Sequence, residues 1–322
     1  MILEGGAGMN QYRGKHVSTQ PWPVASTASS HRRGRHQQRS RRRRRWIISL
    51  IVVVLLVLAY PFVEAHILTT ERVYLQSADL PTDIGHLHIV FLSDIHYGFW
   101  FSDTELSNLV SRINQLKPDL VLFGGDYGAD HEAAIAFFSK LPDIHARYAM
   151  LGVIGEADRG STPAELEELK DAMRNAGITP LVNEVNRVRL GNSSVYVAGL
   201  DEPVGGTPDI ASVSSRVSAS DYVILLCHNP SVIPNAQLAT DGSGRLGWYD
   251  LALFGHTHGG QVPLLGSLLD IAGDVPTRYL GGWLTENRVD MLVSRGVGTS
   301  VVPLRLFCLP QIHSIGVSTK SK

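Results

Sequence analysis

The chain has 322 residues, 44% hydrophobic and 18% charged, enough apolar material for one large folded domain or two ordinary ones. Its formal charge of −1 conceals an asymmetry: residues 1–45 carry ten arginines and one lysine against one acid, and the rest carries 18 bases against 29 acids. The acidic body excludes a nucleic-acid groove there, and two cysteines, Cys227 and Cys308, exclude a disulfide framework.

Residues 1–40 are rich in Gly, Ser, Gln, Pro and Arg, lack apolar periodicity, and read as disordered. With Arg41–Arg45 they make an Arg-rich arm over 1–45. Trp46–Val63 is apolar apart from Ser49. Eighteen helical residues span ~27 Å, close to a bilayer core, so this stretch reads as a transmembrane helix. Five arginines ahead of it and Trp46 at its boundary place the N-terminus in the cytoplasm and everything after residue 65 outside. The expectation is a single-pass cell-membrane protein. A cleaved export signal ending near Val63-Glu64-Ala65 is the alternative. Beside a membrane, the arm suits anionic headgroups better than nucleic acid.

The body, residues 66–319, alternates strands and helices. Arg72–Leu75 reads as a strand, Leu80–Gly85 as a turn, and Leu87–Leu92 as a buried strand ending in Ser93-Asp94-Ile95-His96. Ser102 or Asp103 caps a helix whose apolar face is Leu106, Leu109, Val110, Ile113 and Leu116. Pro118 stops it. Leu120–Phe123 is a second buried strand, ending in Gly124-Gly125-Asp126. A helix near His131–Lys140 leads to the apolar run Tyr148–Ile154, which ends in Gly155-Glu156-Ala157-Asp158. Thr162, Pro163 and Glu165 open a helix with a capping box, closed by Gly177. Val185–Leu190 and Val195–Leu200 flank Gly191-Asn192 as a hairpin. Tyr222–Leu226 ends in Cys227-His228, and Asp241–Gly247 is a polar loop. Leu251–Phe254 is a short buried strand ending in Gly255-His256-Thr257-His258. Val289–Val293 and Arg305–Leu309 read as the closing strands.

Such an alternation is the pattern of an α/β domain, whose chemistry sits beyond the carboxyl ends of its strands. Here successive strand ends carry Asp94 and His96, Asp126, Glu156, His228, and His256 with His258. Any one alone is an ordinary capping Asp or loop His. Their recurrence directly after apolar runs points to a metal centre. Carboxylates mixed with imidazoles suit Mn, Fe or Zn.

Asp94-x-His96, Gly125-Asp126, His228 and Gly255-His256-x-His258 resemble the calcineurin-like metallophosphoesterases over about residues 68–318. Pro118-Asp119, Leu181–Glu184, Gly199–Asp201 and Ser294–Gly298 look like that family's membrane-anchored bacterial branch. The resemblance implies a four-layer α/β/β/α sandwich with two metal ions at the sheet edge. It implies that Asp94, His96 and His258 hold one ion, that His228 and His256 hold the other, and that Asp126 bridges. Two ions ~3.5–4 Å apart can share a hydroxide, hold phosphoryl oxygens and stabilise in-line displacement. The implied reaction is hydrolysis of a phosphomonoester, phosphodiester or pyrophosphate.

One stretch departs from the family. Where it has Gly-Asn-His-Asp or Gly-Asn-His-Glu, this chain has Gly155-Glu156-Ala157-Asp158. In that register Glu156 replaces an Asn ligand and Ala157 replaces the His that assists the leaving group. A register placing Gly152–Gly155 there instead loses both. The first keeps Gly155 and Asp158 and lets the apolar run end at the site. Either way the catalytic His is absent. The expectation is a membrane-anchored phosphohydrolase, weakened or retuned, acting on a phosphorylated substrate such as a lipid or envelope phosphate. The alternative is a pseudoenzyme that binds metal and a phosphorylated ligand or partner.

Overall fold

The structure is a computed structural model and describes residues 14–15, 30–98, 100–218, 220–262, 273 and 275–320. The chain divides into two compact units, 1–56 and 57–322. Helix α1 runs Ser30–Glu64, beginning ahead of the predicted Trp46 and taking in the arginine block. Arginine is a strong helix former, so that block extends the helix. The expectation of disorder over residues 1–40 fails at 30–40, which are helical; over the first 29 residues it lies almost wholly outside the described residues. From Arg41 to Glu64 the helix is long and apolar enough to cross a membrane, and none of its apolar window is buried.

The second unit is built on two six-stranded mixed sheets. In chain order its elements are β1 (Thr69–Ser77), β2 (His86–Leu92), α2 (Asp103–Leu116), β3 (Leu120–Phe123), α3 (His131–Lys140), β4 (Ala149–Gly152), α4 (Pro163–Asn175) and β5 (Thr179–Pro180). Then come β6 (Glu184–Leu190), β7 (Ser193–Gly199), α5 (Ile210–Ser214), β8 (Val223–Leu226), α6 (Ile233–Leu238), β9 (Leu251–Phe254), β10 (Gly282–Glu286), β11 (Val289–Val293) and β12 (Gln311–Thr319). The first sheet has the order β1-β12-β2-β3-β4-β5 and the second β10-β11-β9-β8-β7-β6.

Three buried clusters show how the layers stack. The first packs α2, α3 and α4, through Leu109, Ile113, Phe137 and Met173, onto Val90, Val121 and Phe123 of the first sheet. The second joins the inner faces of the sheets, with Ile89, Phe91 and Leu122 against Val197, Ile224 and Leu253. The third covers the second sheet's outer face with Val213, Ile233 and Trp248. Successive strand residues point to opposite faces, so a sheet between two apolar layers needs uninterrupted apolar strands. Accordingly β3, β8 and β9 are buried at every position. The result is the four-layer α/β/β/α sandwich.

Local chemistry fixes the element ends. Ser102 and Glu105 form a capping box on α2, and Thr162 and Glu165 another on α4 with Pro163 in its first turn. Strands β6 and β7 pair antiparallel around Gly191-Asn192, with Gly191 at φ +66°.

One expected strand is not there. Arg305–Leu309 is irregular, and the closing strand of the first sheet is β12. The backbone N–H of Arg305 donates to Pro61 O at 3.0 Å, and that of Cys308 donates to Glu64 Oε1 at 2.7 Å. Those donors hold the end of α1, so no ladder forms until Pro310 is passed.

Candidate metal centre

Strands β2, β3 and β4 are mutually parallel in one sheet, and β8 and β9 in the other. The segments that leave them meet at one place, because backbone bonds tie each to the next. Asp94 N–H donates to Gly125 O at 2.9 Å, His96 N–H to Asp126 O at 3.1 Å, and Gly255 N–H to His228 O at 2.8 Å. Across the sheets, His256 N–H donates to Asp94 Oδ1 at 2.8 Å. This close approach leaves no room for a side chain at Gly155, where a Cβ would lie 2.0 Å from Asp126 Oδ1.

All seven residues singled out in the sequence are brought together. Asp94, His96 and His258 form one group, and Glu156, His228 and His256 a second. Asp126 joins Asp94 and His228 in a third, the ligand atoms of each group lying within 4.8 Å of one another. Asp126 Oδ2 is 3.4 Å from His96 Nε2 and also 3.4 Å from His228 Nε2, midway between the first two groups. Glu156 reaches His228 Nε2 at 2.9 Å with one oxygen and His256 Nδ1 at 2.8 Å with the other.

The donor set fits divalent metal. His228 Nδ1 lies 2.6 Å from Gly124 O. A carbonyl only accepts, so Nδ1 carries the hydrogen and the Nε2 lone pair faces the cluster. That nitrogen, Glu156 Oε2 and His256 Nδ1 are buried and make no well-formed hydrogen bond, their short contacts being the Glu156–histidine approaches just given. Buried polar atoms left this way cost free energy unless something else binds them, and three converging lone pairs are what a cation takes. His96 Nε2 and His258 Nε2 also approach to 2.9 Å.

Electrostatics point the same way. Burial lowers the His258 pKa well below its usual value, helped by His96 and the Arg305 guanidinium, so this imidazole stays neutral, as a ligand must. Burial also disfavours charge on His228, but Asp126 and Glu156 outweigh it and the net shift is well upward. Burial raises Asp94, partly offset by His228. For Glu156 burial opposes ionisation, but His228 and His256 overcome it and hold the carboxyl far below its ordinary range. Protons thus sit where a cation would otherwise neutralise the acids.

Three neighbours of the site have no role assigned from the sequence, where Asp158 stands only as part of a motif. Asp158 is fully buried and accepts the backbone N–H of Tyr127, Gly128 and Gly155 at 2.7, 3.1 and 3.1 Å, fixing the Asp126 and Glu156 loops. Arg305 is fully buried, with Nε donating to Gly298 O at 3.0 Å, Nη1 to Cys308 O at 3.2 Å, and Nη2 3.3 Å from His258 Nδ1. Glu202 is buried with Oε2 unpartnered, and burial raises its pKa to about 7. Asp158 carried a motif signal; Arg305 and Glu202 carried none.

Comparisons with known proteins identify the family. Residues 87–260 match the calcineurin-like phosphoesterase family. The uncharacterized metallophosphoesterase YkuE of Bacillus subtilis (strain 168) is 30% identical over 260 residues, covering 78% of this chain and 86% of that protein. Phosphodiesterase YaeI of Escherichia coli (strain K12) is 30% identical over 230 residues, covering 70% and 79%. A transmembrane protein with metallophosphoesterase domain from Danio rerio is 26% identical over 248 residues, covering 73% and 54%. Since the matched segment holds the whole acid and histidine cluster at the strand ends of both sheets, the chain belongs to the calcineurin-like phosphoesterase family.

Proposed function

We propose that this protein is a membrane-anchored phosphohydrolase with two divalent ions, Mn, Fe or Zn. In this reading residues 1–45 are a cytoplasmic arm, 46–63 cross the cell membrane once, and 66–319 form the extracytoplasmic catalytic domain. Asp94, His96 and His258 would hold one ion and Glu156, His228 and His256 the other, with Asp126 placed between the two groups. The observation that carries the proposal is the convergence of the His228, His256 and Glu156 donor atoms, buried and lacking well-formed hydrogen bonds, beside Asp126.

When bound, such a pair of ions supplies Lewis acidity and an activated water for in-line displacement at phosphorus. The chain's own residues do the rest. Gly124 O turns His228 so that Nε2 faces inward. Ser93 Oγ and the His256 N–H both donate to Asp94 and fix its carboxylate. The N–H of Ala157 donates to Asp126 Oδ1 at 3.1 Å, leaving Oδ2 for the centre. Three carboxylates among four imidazoles give a net −3 with the imidazoles neutral, which suits two dications and an anionic substrate.

The place of Glu156 between His228 and His256 supports the register that puts Ala157 in the position of the family's acid histidine. A methyl group transfers no proton. Loss of a general acid typically costs ~10²–10⁴-fold, least for substrates whose leaving group departs unaided. A pyrophosphate or an activated diester fits this, and the anchor favours a lipid or envelope phosphate.

The test is metal content and turnover in the purified full chain, across monoester, diester and pyrophosphate substrates. His258→Ala is expected to lose about one ion per chain with the fold retained, and His256→Ala to lose the other. Two ions retained in both variants would refute the ligand assignment. Two ions in the parent with no turnover on any substrate would make the domain a metal-bound pseudoenzyme.

A further inference from the structure

The segment Thr299–Pro310 contains one charged residue, Arg305, and it is fully buried. What this segment shows to the outside is apolar. Val301 is 69% exposed and Phe307 73%, with Val302, Pro303, Leu304 and Leu306 partly exposed between them. Exposed large apolar side chains are ordinary singly, but a charge-free run of them marks an interaction surface. Trp100, 45% exposed, belongs to the same region: it lines a small cleft with Ala65, His66, Thr299 and Pro303.

This display is held by the fold. Val301 and Phe307 have φ of +62° and +57°, a region costly for any L-residue and most for a β-branched one. Gln261, three residues after His258, clamps the loop. Its Nε2 donates to Ser300 O and Val302 O at 2.9 and 2.8 Å, its Oε1 accepts from Ser300 N–H at 2.9 Å, and its carbonyl accepts from Leu306 N–H at 3.1 Å. Backbone strain that persists this way clusters where it serves a function. The other side of the loop is fastened to the last turn of α1 by the Arg305 to Pro61 and Cys308 to Glu64 bonds. In that turn Phe62 and Val63 are themselves exposed.

We propose that Trp100 and the Val301–Phe307 loop form an apolar collar that inserts into the lipid bilayer beside the exit of α1. The proposal rests on the reading of α1 as a membrane anchor. The collar continues the apolar surface of Phe62 and Val63, exposes no charged side chain of its own, with Glu105 of the adjoining cleft paired to His66 at 2.7 Å, and places an indole where interfacial aromatics sit. Through Gln261 it is tied to the backbone that carries His258.

The test uses the full chain in phosphatidylcholine and phosphatidylglycerol nanodiscs. Both native cysteines are buried, so a single introduced thiol labels selectively. Val301→Cys, and separately Phe307→Cys, carry an environment-sensitive fluorophore, with Leu238→Cys, 76% exposed on α6, as the control. Doxyl-labelled phospholipids are expected to quench the two collar labels roughly twofold or more and to leave the control unchanged. No quenching at residues 301 and 307 in chains that do enter nanodiscs would overturn the collar and leave the anchor standing. A chain that fails to enter nanodiscs at all would remove both. Shielding of the collar labels without lipid quenching, in discs holding two chains, would assign this face to a second copy and overturn the proposal.

Discussion

Asp94, His96, Asp126, His256 and His258 all have φ between +46° and +70°. For residues other than glycine this conformation costs ~1–2 kcal/mol each, so five together are a concentration of strain. The physical reason is geometric. A strand must turn back within one or two residues while its side chain stays aimed into the gap between the sheets. Asp and His are among the types that tolerate this backbone best, and they are also metal ligands. That coincidence is why the candidate ligands were legible as Asp and His directly after apolar runs. Arg305 was not, because its role depends on a loop crossing to His258 that no local pattern encodes. At position 157 the same reasoning gives a directional prediction. On the proposed register, Ala157→His combined with Glu156→Asn restores a proton donor beside the leaving group. Its kcat/KM should rise much more for an alkyl diester than for a nitrophenyl diester, with ~10²–10⁴-fold as the ceiling for a positioned acid. Equal changes on both substrates at unchanged metal content would mean that residue 157 does not occupy the acid's place.

At the scale of elements, what the sequence shows well is what is locally determined. The cap at Ser102, the capping box at Thr162, the Gly191-Asn192 hairpin and the all-buried strands β3, β8 and β9 follow from neighbouring residues, and they appear as read. The failure at Arg305–Leu309 has a non-local cause. An apolar run near the end of an α/β chain reads as a strand, but here α1 takes the backbone donors, and β12 begins only at Gln311. The same crossing predicts a shared failure of fold and site. Arg305→Met keeps the volume but leaves Gly298 O and Cys308 O without their donor, and unsatisfied buried acceptors cost ~1–3 kcal/mol each. It also frees the His258 ring. The expected result is a lower unfolding midpoint together with weakened metal binding at the Asp94, His96 and His258 group, read by denaturant titration and metal analysis. Loss of stability with undiminished metal affinity would reduce Arg305 to a structural role.

For the whole molecule, the proposed topology rests on charge. Residues 1–45 carry ten arginines and one lysine, and the five at Arg41–Arg45 directly precede the apolar stretch. Clustered bases beside a first span are retained on the cytoplasmic side, whereas a long folded domain crosses with little regard to its own charge. The metal-bearing unit should therefore face outward. The lysines make this testable without cutting a folded domain: the arm has only Lys15, while the body has Lys117 and Lys140, both exposed. A membrane-impermeant amine reagent applied to intact cells should modify Lys117 and Lys140 and spare Lys15, which should react only after permeabilisation. Peptide mass spectrometry reads all three in one sample. Labelling of Lys15 with protection of the body lysines would invert the orientation. Recovery of a chain that starts near residue 66 would instead show that α1 is removed as an export signal, and the domain would then act unanchored.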